Sequence, residues 1–151
     1  MIVVSNSSPL ISLAKIGAFD LFQKLYGKLV IPAEVYAEVV RAGAGLAGAA
    51  DVSECPWIEV RRIRHPSALD EIRLRRLTLG VGERSAMLLA QELKADLVLL
   101  DDLGVAVLEA CYRRGHVADL RRAYEGMLQA GVYLDRALLN RILVSLELAP
   151  L

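Results

Sequence analysis

Apolar positions along the chain fall into two rhythms. Ile2-Val3-Val4, Leu29-Val30-Ile31 and Leu97-Val98-Leu99-Leu100 are short runs with no polar alternation, as expected of strands buried on both faces of a parallel sheet. Trp57-Ile58-Glu59-Val60 alternates instead, like a strand with one wetter face. Between these runs the apolar residues recur at helical spacing. A helix through Leu10, Ile11, Leu13, Ala14 and Ile16 stops at Gly17, and a second carries Phe19, Leu21, Phe22, Leu25 and Tyr26 up to Gly27. Pro32 opens a third, with Val35, Tyr36, Val39 and Val40 on its apolar side and Glu34 and Glu38 one turn apart on another. Helical spacing returns among arginines at residues 69–77 and forms a clear face at 83–94 through Ala86, Met87, Leu89, Ala90 and Leu93. Three more helices are predicted near 105–113, 119–130 and 135–146, the last capped by Asp135. The Gly- and Ala-rich stretch 43–50 reads as a loop or a weak helix, and as the first place to look for disorder.

Strands alternating with helical segments predict a largely parallel sheet of four to five short strands with helices on its faces. Ligands in such folds sit beyond the carboxyl ends of the strands. With 151 residues and 55% hydrophobic content there is material for one sizeable core, so residues 1–151 read as one α/β domain with a helical C-terminal region near 118–148.

Charge changes the picture locally, not globally. Lys plus Arg and Asp plus Glu both number 18, which excludes an overall positive field for nucleic acid. Arginines nevertheless cluster at Arg61, Arg62, Arg64, Arg73, Arg75 and Arg76, and again at Arg113, Arg114, Arg121 and Arg122. Planar guanidinium groups suit phosphate recognition, although either cluster alone also reads as a solvated face. Cys55 and Cys111 lie far apart with no ligand partner at short spacing, so neither a zinc site nor a disulfide framework is expected. That, an amino terminus unlike a signal peptide and no apolar run near the roughly 20 residues of a membrane helix predict a soluble, cytoplasmic protein with no membrane partner.

Asn6 and Asp101 directly follow buried-strand runs, which places both at the carboxyl edge. Glu38 lies on the helix after the second strand and Glu83 opens the helix that leads to the last, so crossovers can gather all four at one rim. Carboxylate and amide oxygens are hard ligands suited to Mg²⁺ or Mn²⁺. Taken singly, each residue has a plainer role: Glu83 as a helix-start acid, Glu38 as a solvated residue, Asn6 and Asp101-Asp102 as turn and cap. Their joint placement is what favours chemistry. His65 and His116 read as structural or surface residues.

Three segments, SNSSPLI at 5–11, LVIPAEVYAEV at 29–39 and LGVGERSAMLLAQELKADLVLLDD at 79–102, resemble the successive motifs of the PIN-domain superfamily, in particular its VapC-like branch. The resemblance spans about the first 115 residues. It implies a three-layer α/β/α fold and a Mg²⁺- or Mn²⁺-dependent ribonuclease, often the toxin paired with an antitoxin protein. Carried over by position, it assigns catalysis and metal binding to Asn6, Glu38, Glu83 and Asp101, with Asp102 as an extra ligand. Ser7 and Ser8 match the family's small hydroxyl, Ser8 being the natural helix cap, and Arg73, Arg75, Arg76 and Arg84 are candidate phosphate contacts for RNA.

The chain departs from the pattern in three places. Asn6 replaces an acid, removing one negative charge from a site whose affinity is largely electrostatic. Val105-Ala106 stand where the branch carries a basic residue, and the chain after His116 is shortened. A non-catalytic module that binds a protein or nucleic acid is therefore the rival expectation. Finally, Leu128, Leu138, Leu139, Ile142, Leu143, Leu146 and Leu148 offer more apolar surface than a terminal hairpin readily hides, which predicts a homodimer.

Overall fold

The computed structural model describes residues 1–75, 79–101 and 103–151. Four strands, β1 (Val3–Ser5), β2 (Leu29–Pro32), β3 (Ile58–Arg61) and β4 (Leu97–Leu99), pair in the order β3-β2-β1-β4, all parallel. A fifth strand is not found among the described residues. Parallel neighbours need crossovers. Helices α1 (Ser7–Lys15) and α2 (Leu21–Tyr26) join β1 to β2, while α3 (Ala33–Tyr36), a π-helical turn at Ala37–Ala42 and α4 (Ala49–Ser53) join β2 to β3. The return to β4 runs through α5 (Ala68–Arg75) and α6 (Val81–Leu93), and α7 (Leu103–Arg113), α8 (Leu120–Gln129) and α9 (Arg136–Ser145) follow.

Successive strand residues face opposite sides of a sheet. Val3, Leu29, Ile31 and Leu99 pack into a core with Leu10, Leu13, Phe22, Leu108, Tyr124, Met127, Leu139 and Leu143, from α1, α2, α7, α8 and α9. Val4, Val30 and Val98 face the other way, against Ala86, Leu88, Leu89 and Ala90 of α6 and Leu69 of α5. Both faces are thus covered in a three-layer α/β/α arrangement, which is why the runs in β1, β2 and β4 show no alternation. β3 is an edge strand whose burial does not follow the alternation of its sequence: Ile58 and Glu59 are half-buried, whereas Val60, at 42% exposure, and Arg61 face solvent.

Two segments differ from their pattern. The helix opened by Pro32 leaves α geometry after Tyr36, and the Gly43 amide donates to the Glu38 carbonyl at 2.9 Å, a five-residue bond that widens the coil. Gly43 is required there, because a Cβ would lie 2.5 Å from the Val39 carbonyl oxygen. Hydrophobic periodicity carries no signal for such a widening. Residues 43–50 are turns that pass into α4, which buries Ala49 and Val52.

The C-terminal helices are capped by Asp119 and Asp135, whose carboxylates accept from the amides of Arg122 and Ala137, both at 2.9 Å. Leu139 and Leu143 are fully buried, and Leu128, Ile142, Leu146 and Leu148 pack around the same core. Much of the apolar surface on which the homodimer expectation rested packs within the chain, while Leu138 stays outside this core. We expect Leu139→Ala to lower stability by about 3 kcal/mol in urea denaturation, as for a buried leucine, with no change in sedimentation behaviour. Cys55 and Cys111 are free thiols, and among the described residues no helix is long and apolar enough to cross a membrane.

Candidate active site

Asn6 extends the pairing of β1 by one residue, its amide donating to the Leu99 carbonyl at 2.8 Å. Its side chain then starts α1. Oδ1 accepts from the Ser7 amide at 2.7 Å and from Ser7 Oγ at 3.3 Å, so Asn6, rather than Ser8, is the cap. A backbone N–H can only be met by the oxygen end of the amide, which orients Nδ2 away from the helix. Nδ2 donates to Asp101 Oδ1 at 3.3 Å, and Ser8 Oγ donates to the same oxygen at 3.0 Å. The end of β1 and the end of β4 are thereby tied across the sheet edge.

Glu38 projects from the π-helical turn and is exposed, with no hydrogen bond to its carboxylate among the described residues. Glu83 lies in the first turn of α6, where its Oε2 accepts from the Gly80 amide at 3.0 Å. That bond braces the helix start and leaves Oε1 outside it. Gly82 sits between these elements. A Cβ on it would stand 2.7 Å from Glu38 Oε2 and 2.9 Å from Asn6 Oδ1, so the absence of a side chain is what lets the two oxygens converge.

Asn6, Ser7, Ser8, Glu38, Glu83 and Asp101 line one cleft of about 530 Å³ at the carboxyl edge of the sheet. Glu34 joins them, and its Oε2 is buried with no hydrogen-bond partner among the described residues. Sequence reasoning registered Glu34 only as the neighbour of Glu38; the four-residue acidic spacing was the available signal. Gly82 was equally overlooked as a space-maker, although the Gly-x-Gly before Glu83 marks it. Arg84 does not line the cleft, and its Nε is buried. For Arg73 and Arg75 only the backbone of α5 is described, and Arg76 and Asp102 lie outside the described residues.

Among the described residues, the cleft lining contains four carboxylates, from Glu34, Glu38, Glu83 and Asp101, and no cationic side chain. Carboxylates gathered without counter-charge, one of them with a buried oxygen lacking a donor, fit a hard divalent cation in donor chemistry. They do not form a closed cage: no three acidic groups among the described residues lie close enough together to share one ion. Asn6 Oδ1 is moreover already engaged by Ser7.

A parallel α/β/α sheet with an acidic cleft beyond its strand ends, built from the residues after β1, β2 and β4, is the architecture of a PIN-type fold. A family model described as a PIN domain matches residues 2–105, and the chain belongs to that family. No curated protein and no solved structure matches it. The fold is of the nuclease type, and α8 and α9 lie beyond the matched segment.

Proposed function

We propose that the cleft is the active centre of a divalent-metal-dependent ribonuclease. The observation that supports this reading is the convergence of Asn6, Glu38, Glu83 and Asp101 on one cleft whose lining, among the described residues, includes no cation. Glu38, Glu83 and Asp101 would hold Mg²⁺ or Mn²⁺ beside Asn6. When bound, such an ion neutralises phosphodiester charge and acidifies a water molecule. The chain's own residues do the rest. Asn6 fixes Asp101 through Oδ1, leaving Oδ2 for a ligand, and Gly80 fixes Glu83 through Oε2, leaving Oε1. Glu38, exposed and without a hydrogen bond among the described residues, would complete the ligand set from the opposite side of Gly82. A toxin role, with an antitoxin protein covering the cleft, belongs to the same reading.

A second reading, a non-catalytic binding module, is favoured by one observation. The Asn6 amide already satisfies Asp101, so the pair holds together without an ion. Calorimetric Mn²⁺ titration of the wild type and Asp101→Asn, with RNA cleavage followed in the same buffers, separates the two. The nuclease reading expects micromolar to millimolar Mn²⁺ binding, and cleavage that falls at least a hundredfold in the variant. A wild type that neither binds Mn²⁺ nor cleaves RNA sinks it and leaves the binding module.

A further inference from the structure

Among the described residues, the lining of the acidic cleft carries no cationic side chain, whereas the rim beside it does. Glu34 lines a second cavity as well, of about 610 Å³, whose walls include Tyr36, Arg41, Val60, Arg62 and Ile63. Strand order puts the two cavities in sequence along one rim. Asp101 follows β4, Asn6 follows β1, Glu34 and Glu38 follow β2, and Arg62 follows β3, with neighbouring strands about 4.8 Å apart. The rim therefore turns from acidic to basic within two strand spacings of Asn6.

The groove has both parts that a single strand requires. Arg41 and Arg62 are exposed, and neither forms an ion pair among the described residues; Arg61 next door is paired with Glu59, and so is Lys28. In the same lining, half-buried Tyr36 and exposed Val60 offer aromatic and aliphatic surface of the kind on which bases rest. Glu34 is common to the linings of both cavities and so joins the groove to the cleft. We infer that this groove is a subsite for single-stranded nucleic acid, with Arg41 and Arg62 on the phosphates flanking the cleft and Tyr36 and Val60 beneath a base. The inference rests on the reading of the cleft as a nuclease centre, whose substrate it would orient across the rim from β4 toward β3.

Fluorescence anisotropy of labelled 12-nucleotide single-stranded RNA and DNA of one sequence, in EDTA over a salt series, tests the groove apart from the cleavage. Arg41→Ala and Arg62→Ala should each weaken binding about fivefold or more and lower the salt slope by about one, as loss of a phosphate contact does. Arg114→Ala is the control for net charge. It lies past the far end of α7, roughly 16 Å of helix from the cleft, near Tyr26 and Cys111, and should leave affinity within twofold. Loss with both oligonucleotides assigns the groove to the phosphate chain as such, and loss with RNA alone assigns it to RNA. Unchanged affinity in both arginine variants, or an equal loss in Arg114→Ala, overturns the inference even if the wild type cleaves RNA. Arginine-dependent binding without metal-dependent cleavage would keep the subsite and remove the nuclease.

Discussion

Gly82→Ala should disable the cleft while leaving the fold intact. The added Cβ would meet Glu38 Oε2 at 2.7 Å and Asn6 Oδ1 at 2.9 Å, both closer than carbon and oxygen tolerate. Which neighbour gives way follows from their attachments. Asn6 is 3% exposed and held by Ser7 and Asp101, whereas Glu38 is the end of a long side chain in solvent with nothing holding it. The carboxylate moves and the amide stays. Alanine also suits a helix better than glycine by up to about 1 kcal/mol, so the melting temperature should hold or rise slightly. A displacement of an ångström or more at a catalytic carboxylate costs about a hundredfold in rate, and Mn²⁺ affinity should fall about tenfold. Melting curves, metal titration and initial cleavage rates on one preparation check all three; unchanged binding and rate would show that Glu38 takes no part.

Asn6→Asp should have the second-largest effect, with opposite signs in the absence and presence of metal. Aspartate caps a helix as well as asparagine, so α1 keeps its start. What disappears is the donor: Nδ2, 3.3 Å from Asp101 Oδ1, becomes a carboxylate oxygen facing a carboxylate. Two like charges at that separation, one buried and one exposed, repel by an amount on the order of 1–3 kcal/mol after solvent screening. In EDTA at neutral pH the melting temperature should fall by about 5 °C. Saturating Mn²⁺ should reverse the loss, because the added charge now faces a cation, and Mn²⁺ affinity should rise about tenfold. A variant that melts like the wild type in EDTA would mean that the Asn6–Asp101 bond does not form in solution.

Much of this was legible in the residues. Buried strands of a parallel sheet reveal themselves by uninterrupted apolar runs, and an amide or acid placed directly after such a run must stand at the carboxyl edge. Asn6 and Asp101 could be placed on that ground alone, and the PIN resemblance supplied their company. Three things could not be read. The cap fell to Asn6 instead of Ser8 because both residue types cap well and only backbone geometry decides which one sits one residue ahead of the first helical turn. The π-helical turn that presents Glu38 depends on Gly43, whose composition signal reads merely as a loop. How much of the C-terminal leucine surface packs internally was not legible, because sequence does not reveal that α8 and α9 fold back over the sheet face already carrying α1 and α7. Arg62 belonged to a cluster that sequence treated as one unit. The edge position of β3 singles it out, and Glu59 accounts for its neighbour Arg61.

The bond between Asn6 and Asp101 joins residues 95 apart, across strands at the two ends of the paired sequence. β1 is central, yet the partner on one of its sides is the last strand to leave the ribosome. During synthesis β1 can pair early with β2, and α1 can form on its Asn6 cap, while the opposite edge of β1 stays open until residues 97–99 emerge. Contacts of such separation form late because the loop must close before any gain is felt. An incomplete chain therefore carries the arginine groove at β2 and β3 before it carries Asp101. Arg41 and Arg62 are in place on the first three strands before the last carboxylate of the cleft arrives, and the acidic cleft is assembled only as the sheet is completed.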